Sequence, residues 1–261
     1  MTDSKQMAKY ISIGAGIFMI ILAICLLIGA LSSSMSVVGE TWRYEPDSYS
    51  EITHLEVEIG AGEIKFERGD RFLVVSNIKD VDISGGAKTV IKERHHTKAD
   101  YEGAFFTVYI PETMSLTELD ISTGAGIFNA DSLSAEVIDF EFGAGQVDIG
   151  ELYATREADI ETGAGELNIG GGKIRDLQLS LGAGEVNIAS EMSGRGELDL
   201  GVGEVNITLL GGQESYTVEV NKGIGDITIN GNSVSGNRTV GMGDTFVEIN
   251  GGIGSVNIIF E

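Results

Sequence analysis

The sequence is poor in the residue types that build disulfide frameworks, zinc sites and nucleic-acid surfaces. Its 261 residues include 1 cysteine, 2 prolines and 3 histidines, and 17 basic side chains stand against 40 acidic ones. The single cysteine, Cys25, cannot form a disulfide within the chain. No Cys or His spacing supplies the three or four convergent ligands of a zinc site. The net charge of −23 opposes contact with phosphate backbones, so nucleic-acid binding is not expected.

The excess of acidic residues fits two interpretations. An acidic surface attracts metal cations, cationic peptides or basic proteins through long-range electrostatics. The same charge also keeps a β-rich protein soluble without any partner. Composition alone leaves both interpretations open.

One apolar segment, residues 10–31, contains no charged side chain. As a helix it is about 33 Å long, enough to cross a hydrocarbon core. Lys5 and Lys9 precede it, so the positive-inside rule predicts a cytoplasmic N-terminus and an extracytoplasmic C-terminal part. A cleaved signal peptide is the alternative, but its apolar stretch is usually shorter.

This segment sets the predicted organisation of the chain as a single-pass protein of the cell membrane. Residues 1–9 form a cytoplasmic tail and residues 10–31 a transmembrane helix. A juxtamembrane spacer follows at 32–50, and an extracytoplasmic β-repeat domain occupies 51–261.

Self-similarity organises the remainder. Glycine is abundant, with 37 residues, and the scarcity of proline indicates ordered tight turns. Two runs of alternating apolar residues, joined by Gly-x-Gly, recur at a step of mostly 19 or 20 residues. The copies occupy residues 55–66, 119–130, 138–149, 158–169, 177–188, 198–207, 218–229 and 247–258. A degenerate ninth copy is predicted around Gly241–Met242–Gly243.

The phase of the alternation shifts by one residue inside each copy. Leu179 and Leu181 precede the corner at odd positions, whereas Val186 and Ile188 follow it at even ones. Because successive strand residues face opposite sides, an extra residue must be absorbed at the glycines. The residue between the glycines is predicted to point inward. The predicted corner glycines are Gly124, Gly126, Gly143, Gly145, Gly163, Gly165, Gly182, Gly184, Gly201, Gly203, Gly223 and Gly225.

A short, nearly constant period predicts an all-β, β-solenoid-like repeat domain. Each turn stacks on the previous one, because a single turn cannot bury its own apolar face. A two-sheet β-sandwich with glycine bulges is the alternative. Residues 67–118 break the rhythm and are expected to cap the array. Strand edges at the two ends offer a route to self-association.

The Gly-x-Gly units do not indicate nucleotide binding, because each runs into another alternating strand and not into a helix. Calcium-binding nonapeptide rolls need an aspartate where this chain has Val186 or Val205. No catalytic residue, cofactor or established metal site is predicted. One weak cation hypothesis remains, a ladder of carboxylates at equivalent positions in the copies: Glu166, Glu185, Glu204 and Asp226. The competing interpretation is that these side chains splay into solvent.

Asparagine recurs two residues after the ladder carboxylate. Asn168, Asn187, Asn206 and Asn257 occupy equivalent positions between the two apolar residues of the second strand. Stacked amides form hydrogen-bonded ladders in cross-β structures, so a structural ladder is predicted here.

The "VYIPE" strand, the repeated "GAGEVNI" units and the N-terminal apolar segment resemble one known family. It is the putative-adhesin family of unknown function, also called the toastrack domain, which is common in Gram-positive bacteria. The resemblance covers about residues 51–261 and implies a β-repeat fold and an envelope-associated sensing or scaffolding role. It carries over no functional residues.

Two functions follow as hypotheses. The first is a membrane-anchored binding or scaffold protein linked to envelope stress, whose partner is a regulatory membrane protein or a cationic peptide. The second is an adhesin-type surface protein that binds wall polymer or another cell. The predicted spacer of about 20 residues holds the domain close to the membrane, which favours the first. An enzyme is not expected, because the acidic residues are too numerous to single out a catalytic pair.

Overall fold

The computed structural model describes residues 35–94 and 99–261. Within these ranges the regular secondary structure consists of strands, apart from a single turn of 3-10 helix at Gln213–Ser215. None of the described helices has the length and apolar character needed to span a bilayer. The predicted membrane helix at 10–31 lies outside the described residues. His95 and His96 also lie outside them.

The strands fall into three groups along the chain. The first group precedes the regular repeats: β1 (Met35–Ser36), β2 (Val38–Tyr44), β3 (His54–Gly69), β4 (Leu73–Ile78), β5 (Val81–Ser84), β6 (Lys88–Glu93), β7 (Ala99–Asp100) and β8 (Phe105–Pro111). Two very long strands, which bend at the glycine corners, form the middle: β9 (Leu116–Ile169) and β10 (Gly172–Leu209). The last group is β11 (Tyr216–Asn221), β12 (Ile227–Ile229), β13 (Asn232–Val234), β14 (Arg238–Gly241), β15 (Thr245–Asn250) and β16 (Ile253–Phe260).

The copies stack in parallel and in register, as the solenoid prediction requires. Gly184 pairs with Gly165, and Val186 with Leu167, so equivalent residues of neighbouring copies lie side by side. We call each stacked copy a rung and number the rungs in spatial order by their glycine pairs. They are rung 1 (Gly60, Gly62), rung 2 (Gly124, Gly126), rung 3 (Gly143, Gly145), rung 4 (Gly163, Gly165), rung 5 (Gly182, Gly184), rung 6 (Gly201, Gly203), rung 7 (Gly252, Gly254) and rung 8 (Gly223, Gly225).

Close approach of neighbouring backbones explains both glycines of the corner. A Cβ added at Gly182 would lie 2.3 Å from the carbonyl oxygen of Gly163, and one at Gly184 would lie 1.8 Å from that of Gly165. Gly184 also has a φ of 141°, in a region that residues with side chains rarely adopt. The first glycine is therefore required by space, and the second by both space and backbone conformation.

The phase shift predicted at the corner is present. Leu179 and Leu181 before it, and Val186 and Ile188 after it, are all buried in one continuous core. Each rung thus presents an apolar inner surface to its neighbours, and the stack buries it along the whole length. This confirms the prediction of an all-β, solenoid-like repeat domain.

The residue between the two glycines points outward, contrary to the prediction. Ala125 and Ala144 are exposed, and Val202, Ile253 and Ile224 expose 48%, 43% and 72% of their surface. The prediction carried the alternation through the first glycine and placed the shift of phase at the second. The outward residue between the glycines shows that the alternation is already broken at the first glycine, before the positive φ of the second.

The last two copies stack in an order that differs from their order in the chain. β15 and β16 pair in parallel with β10 on one side, and with β11 and β12 on the other. The copy at 247–258 therefore lies between the copies at 198–207 and 218–229. The expectation that every turn stacks on the preceding one is wrong at this end.

Irregular strands cover both ends of the stack. At the first end, β6 and β8 pair in parallel with β3, and the antiparallel strands β5 and β4 lie outside them. This confirms that residues 67–118 cap the array. At the other end, β14 and β13 pair antiparallel with β11 and β12. The segment Gly241–Met242–Gly243 begins at the last residue of β14 and forms no ninth rung, so that prediction is wrong.

The folded domain begins before the predicted boundary at residue 51. β2 pairs antiparallel with β4, and Val37 is 2% exposed. The indole nitrogen of Trp42 donates a hydrogen bond of 2.7 Å to the carbonyl of Ile78. Most of the predicted spacer at 32–50 is therefore part of the domain.

Candidate functional site

The outward side chains of the first strand in rungs 1 to 4 form a continuous acidic surface. Alternate residues of a strand point away from the core, and stacking places equivalent residues of neighbouring rungs about 4.8 Å apart. We call the nine carboxylates of this surface the acidic face. They are Glu56, Glu58, Glu118, Asp120, Asp139, Glu141, Glu157, Asp159 and Glu161.

The centre of the acidic face carries charge that other side chains do not neutralise. Among the described residues, no lysine or arginine forms an ion pair with Asp139, Glu141, Asp159 or Glu161. Partial burial, together with the charges of Asp120 and Asp159, raises the pKa of Asp139. Like charges on facing positions repel each other, so a cation that binds at this surface is stabilised by relieving that repulsion.

Cationic side chains gather at the rung 1 edge of the acidic face. The ammonium of Lys88 lies 2.7 Å from a carboxylate oxygen of Glu56, and Lys92 pairs with Glu58. These hydrogen bonds raise the pKa of both lysines. At this edge, each of the two lysines forms an ion pair with one carboxylate of the acidic face.

His54 lies at the same edge between two carboxylates. Its Nδ1 is 3.1 Å from Glu118 and its Nε2 is 2.7 Å from Asp120. His54, Glu56 and Asp120 each offer one ligand atom, and these atoms all lie within 4.8 Å of one another. The sequence did not predict this cluster. Its signal lies in the aligned copies, because His54 directly precedes the copy at 55–66 and Glu118 directly precedes the copy at 119–130.

The carboxylates of the predicted cation ladder lie on the second strand, away from the acidic face. Glu185 pairs in register with Glu166, and the stacked glycines of rungs 5 and 6 place Glu204 next in line. Asp226 does not join them, because Ser255 of rung 7 pairs with Glu204 and separates the two. The structure therefore brings three of the four predicted ladder residues together.

Asparagine side chains hold these glutamates. The Nδ2 atoms of Asn168 and Asn187 donate to Glu166 and Glu185 at 2.8 and 3.0 Å. They also donate along the stack, from Asn206 to Asn187 at 2.9 Å and from Asn187 to Asn168 at 2.8 Å. The predicted amide ladder is present from Asn168 to Asn206, and it supplies a structural reason for the stacked glutamates and asparagines. Asn257 pairs in register with Asn206, and its Oδ1 accepts a hydrogen bond of 2.6 Å from the Thr228 hydroxyl.

A buried carboxylate closes the corner at the first end of the stack. Glu93 is fully buried; it accepts hydrogen bonds from the backbone nitrogen of Gly60 and from the Tyr101 hydroxyl, both at 2.7 Å. Burial and the bond to Glu93 raise the pKa of Tyr101. Glu93 therefore replaces the missing neighbouring backbone at rung 1, which is a structural role.

The spaces inside the corners are small. Behind the corners of rungs 6 to 8, and again behind those of rungs 2 to 4, the cavity volume is about 20 Å³. A larger open groove of about 700 Å³ lies outside rungs 1 and 2, beside Lys65, Tyr101 and Ile127. Ligand pockets that enclose a small molecule measure about 300–1,000 Å³, so the interior of the coil offers no such room at these corners.

Comparison with known proteins supports the repeat architecture. The family model described as Toastrack DUF4097 matches residues 100–244, which is more than half of the chain. No curated protein matches the sequence.

Several solved structures are similar over most of the chain. A putative cell adhesion protein from Clostridium sporogenes is 15% identical and has a TM-score of 0.36, covering 85% of this chain and 99% of its own. A putative adhesin from Bacteroides fragilis is 10% identical with a TM-score of 0.43, covering 86% and 99%. A putative lipid binding protein from Parabacteroides distasonis is 16% identical with a TM-score of 0.35, covering 87% and 99%. At these identities and TM-scores the likeness carries nothing about ligands.

Proposed function

Since the chain belongs to the toastrack DUF4097 family, we propose that it is a surface-binding protein of the bacterial cell envelope whose acidic face receives a cationic partner. The partner is a basic segment of a membrane protein or a cationic peptide. The observation that carries the proposal is the acidic face itself, a broad array of carboxylates without matching cations at its centre.

The geometry of the face favours a macromolecular partner over a small molecule. Its carboxylates are evenly spaced on an open sheet surface and recur at each rung. An extended basic peptide presents charges along a line and can pair with several rungs at once, which increases affinity through multiple contacts. Electrostatic attraction over such a surface also increases the rate of encounter.

The same geometry supports a role in binding without catalysis. Glycoside hydrolysis uses two carboxyl groups placed across a scissile bond, one of them with a specifically tuned pKa. The acidic face offers a repeated row in place of such a pair. We therefore propose that the chain is not an enzyme.

Membrane attachment through residues 10–31 completes the proposal. The described domain begins at residue 35, so an anchor ending at residue 31 would hold the start of the domain within a few residues of the bilayer surface. This position suits a scaffold or sensor that meets a membrane protein better than an adhesin that reaches another cell. The links to envelope stress and to Gram-positive bacteria rest on the family resemblance alone.

Site-specific photocrosslinking in cells tests the proposal. A photoreactive amino acid at Ser180 leaves all nine carboxylates in place, since this exposed serine pairs with Glu161 beside the acidic face. Tyr153, which is 37% exposed on the segment that joins the second strand of rung 3 to the first strand of rung 4, is the control position. The proposal predicts that Ser180 captures a basic membrane protein or peptide and that Tyr153 does not. Equal capture from both positions would contradict it, and capture of wall polymer alone would favour the adhesin alternative.

A further inference from the structure

The edge of the acidic face at rung 1 contains the elements of a metal site. His54 and Glu56 are two residues apart on β3, so both side chains leave the same side of the strand. Asp120 of rung 2 pairs directly with Glu56, and Glu118 with His54. The topology thus places one imidazole and three carboxylates on one small square of the sheet, although 64 residues of sequence separate His54 from Glu118.

The orientation of His54 favours coordination through Nε2. A metal-bound histidine usually donates a hydrogen bond from its second ring nitrogen to a carboxylate or carbonyl. This bond fixes the ring and makes it a better ligand. Here Glu118 takes that role, 3.1 Å from Nδ1. The other nitrogen then faces Asp120 at 2.7 Å, on the side where Glu56 also lies.

The distances allow an ion to enter with side-chain rotations only. A tetrahedral zinc ion with bonds of about 2.1 Å separates its ligand atoms by about 3.4 Å. The three candidate atoms already lie within 4.8 Å of one another on a rigid pair of strands. His54 and Asp120 are partly buried, with 16% and 26% of their side chains exposed, so the ligands begin with restricted freedom.

The charge around the cluster also suits a dication. Lys88 is now the counterion of Glu56, at 2.7 Å, and it is half exposed and free to swing away. The remaining carboxylates of the acidic face surround the cluster on the rung 2 and rung 3 side. One imidazole and two carboxylates form a mixed N/O set that suits zinc, whereas calcium and magnesium prefer oxygen alone.

We propose that His54, Glu56 and Asp120 bind a divalent transition metal of the zinc class, with Glu118 as the positioning residue of the His54 ring. Three protein ligands leave a fourth position for water or for a side chain of a partner. The inference is independent of the proposed function, since it concerns the residues of one edge and not the cationic partner of the whole face.

Zinc titration of the untagged full-length chain tests this site, with zinc alone as the probe. We expect one zinc ion per chain, and we expect H54Q and D120N each to weaken the affinity for zinc by about tenfold or more. D139N is the matched control, because it removes the same charge one rung away from the ligands. It is expected to change the affinity by less than about threefold. K88Q is expected to tighten binding, because it removes the competing ammonium.

Two further measurements make the result decisive. The double variant H95Q/H96Q must keep the bound ion. With copper(II) in place of zinc, this double variant must show an imidazole-nitrogen signature in pulsed electron paramagnetic resonance, because His54 is then its remaining histidine. The second readout changes no residue of the proposed site. Absence of zinc binding, equal losses in D120N and D139N, or binding that disappears only in H95Q/H96Q would overturn the proposal.

Discussion

At single positions, the distance between neighbouring backbones decides which side chains the coil accepts. The first corner glycine shows this without the complication of a positive φ. Gly182→Ala is expected to lower the free energy of unfolding by about 2 kcal/mol or more, because its Cβ would lie 2.3 Å from a backbone oxygen. Gly171→Ala is the control, since its nearest contact is 3.6 Å away and its effect should stay within about 0.5 kcal/mol. Chemical denaturation compares the two, and equal losses would contradict the stacking argument.

Two fully buried serines have opposite hydrogen-bonding states. The hydroxyl of Ser190 has no hydrogen-bond partner among the residues that the structure describes, whereas that of Ser76 donates to the Phe105 carbonyl at 2.7 Å and accepts from the Ile78 nitrogen at 3.0 Å. A buried polar group without a partner costs free energy. Ser190→Ala is therefore expected to stabilise the chain by about 1 kcal/mol, and Ser76→Ala to destabilise it by about 1–3 kcal/mol. Thermal unfolding of both variants checks the contrast, and a loss of stability in Ser190→Ala would refute it.

Along one column of stacked carboxylates, charge repulsion acts between rungs. The pKa of Asp139 is raised in the folded chain, so the folded state binds a proton on this carboxylate more tightly than the unfolded state does. The contribution of Asp139 to the free energy of unfolding therefore becomes more favourable to folding as the pH falls. Asp139→Asn should therefore raise Tm at pH 7 by about 1–2 °C. The gain should shrink as the pH falls through the range where carboxylates titrate. Melting curves with a chelator present measure it, and a gain independent of pH would contradict the electrostatic cause.

Among the elements, the C-terminal strands hold a central place in the stack. β15 and β16 have neighbours on both sides, whereas β13 and β14 pair on one side only. Amides that open only with the whole domain exchange most slowly. Hydrogen exchange should therefore find Val247 and Val256 as protected as Val186 of rung 5, with faster exchange in β13 and β14. Fast exchange in β15 and β16 would show that they are not inserted as described.

The strands also show which parts of the fold the sequence predicts. The eight copies, their parallel stacking and the shift of phase follow from glycine spacing and alternation, because each unit must bury the same apolar surface. The order of the last two copies does not follow. Residues 218–229 and 247–258 offer equivalent inner faces to rung 6, and nothing in either copy specifies which of them lies against it. The connections through the irregular residues 230–244 decide the order.

The candidate sites also differ in how much of them the sequence predicts. The stacked glutamates and asparagines of rungs 4 to 6 were predicted, because these three copies follow one another at regular spacing. The cluster at His54 was missed, because it depends on pairing rung 1 with rung 2 across the irregular segment 67–118. Asp226 was misplaced for a related reason, since the inserted rung 7 separates it from Glu204.

For the whole molecule, one face of a rigid coil concentrates negative charge. The net charge of −23 is distributed unevenly, and the acidic face holds nine carboxylates on four rungs. The Glu column on the second strand (Glu166, Glu185 and Glu204) is also anionic, but there each carboxylate accepts a hydrogen bond from an asparagine. The account therefore assigns the binding of cationic partners to the first-strand face.

Binding of a fluorescent oligolysine peptide to two triple variants of the full-length chain tests this assignment most directly. One variant neutralises the acidic face (Asp139→Asn, Asp159→Asn, Glu161→Gln), and the other removes the same charge from the Glu column (Glu166→Gln, Glu185→Gln, Glu204→Gln). We expect the first variant to lose about tenfold or more in affinity for the peptide at low salt, and the second to lose less than about threefold. Added salt is expected to weaken binding of the peptide to the parent chain. Equal losses in the two variants would show that net charge alone attracts the peptide, and would contradict a binding role for the acidic face.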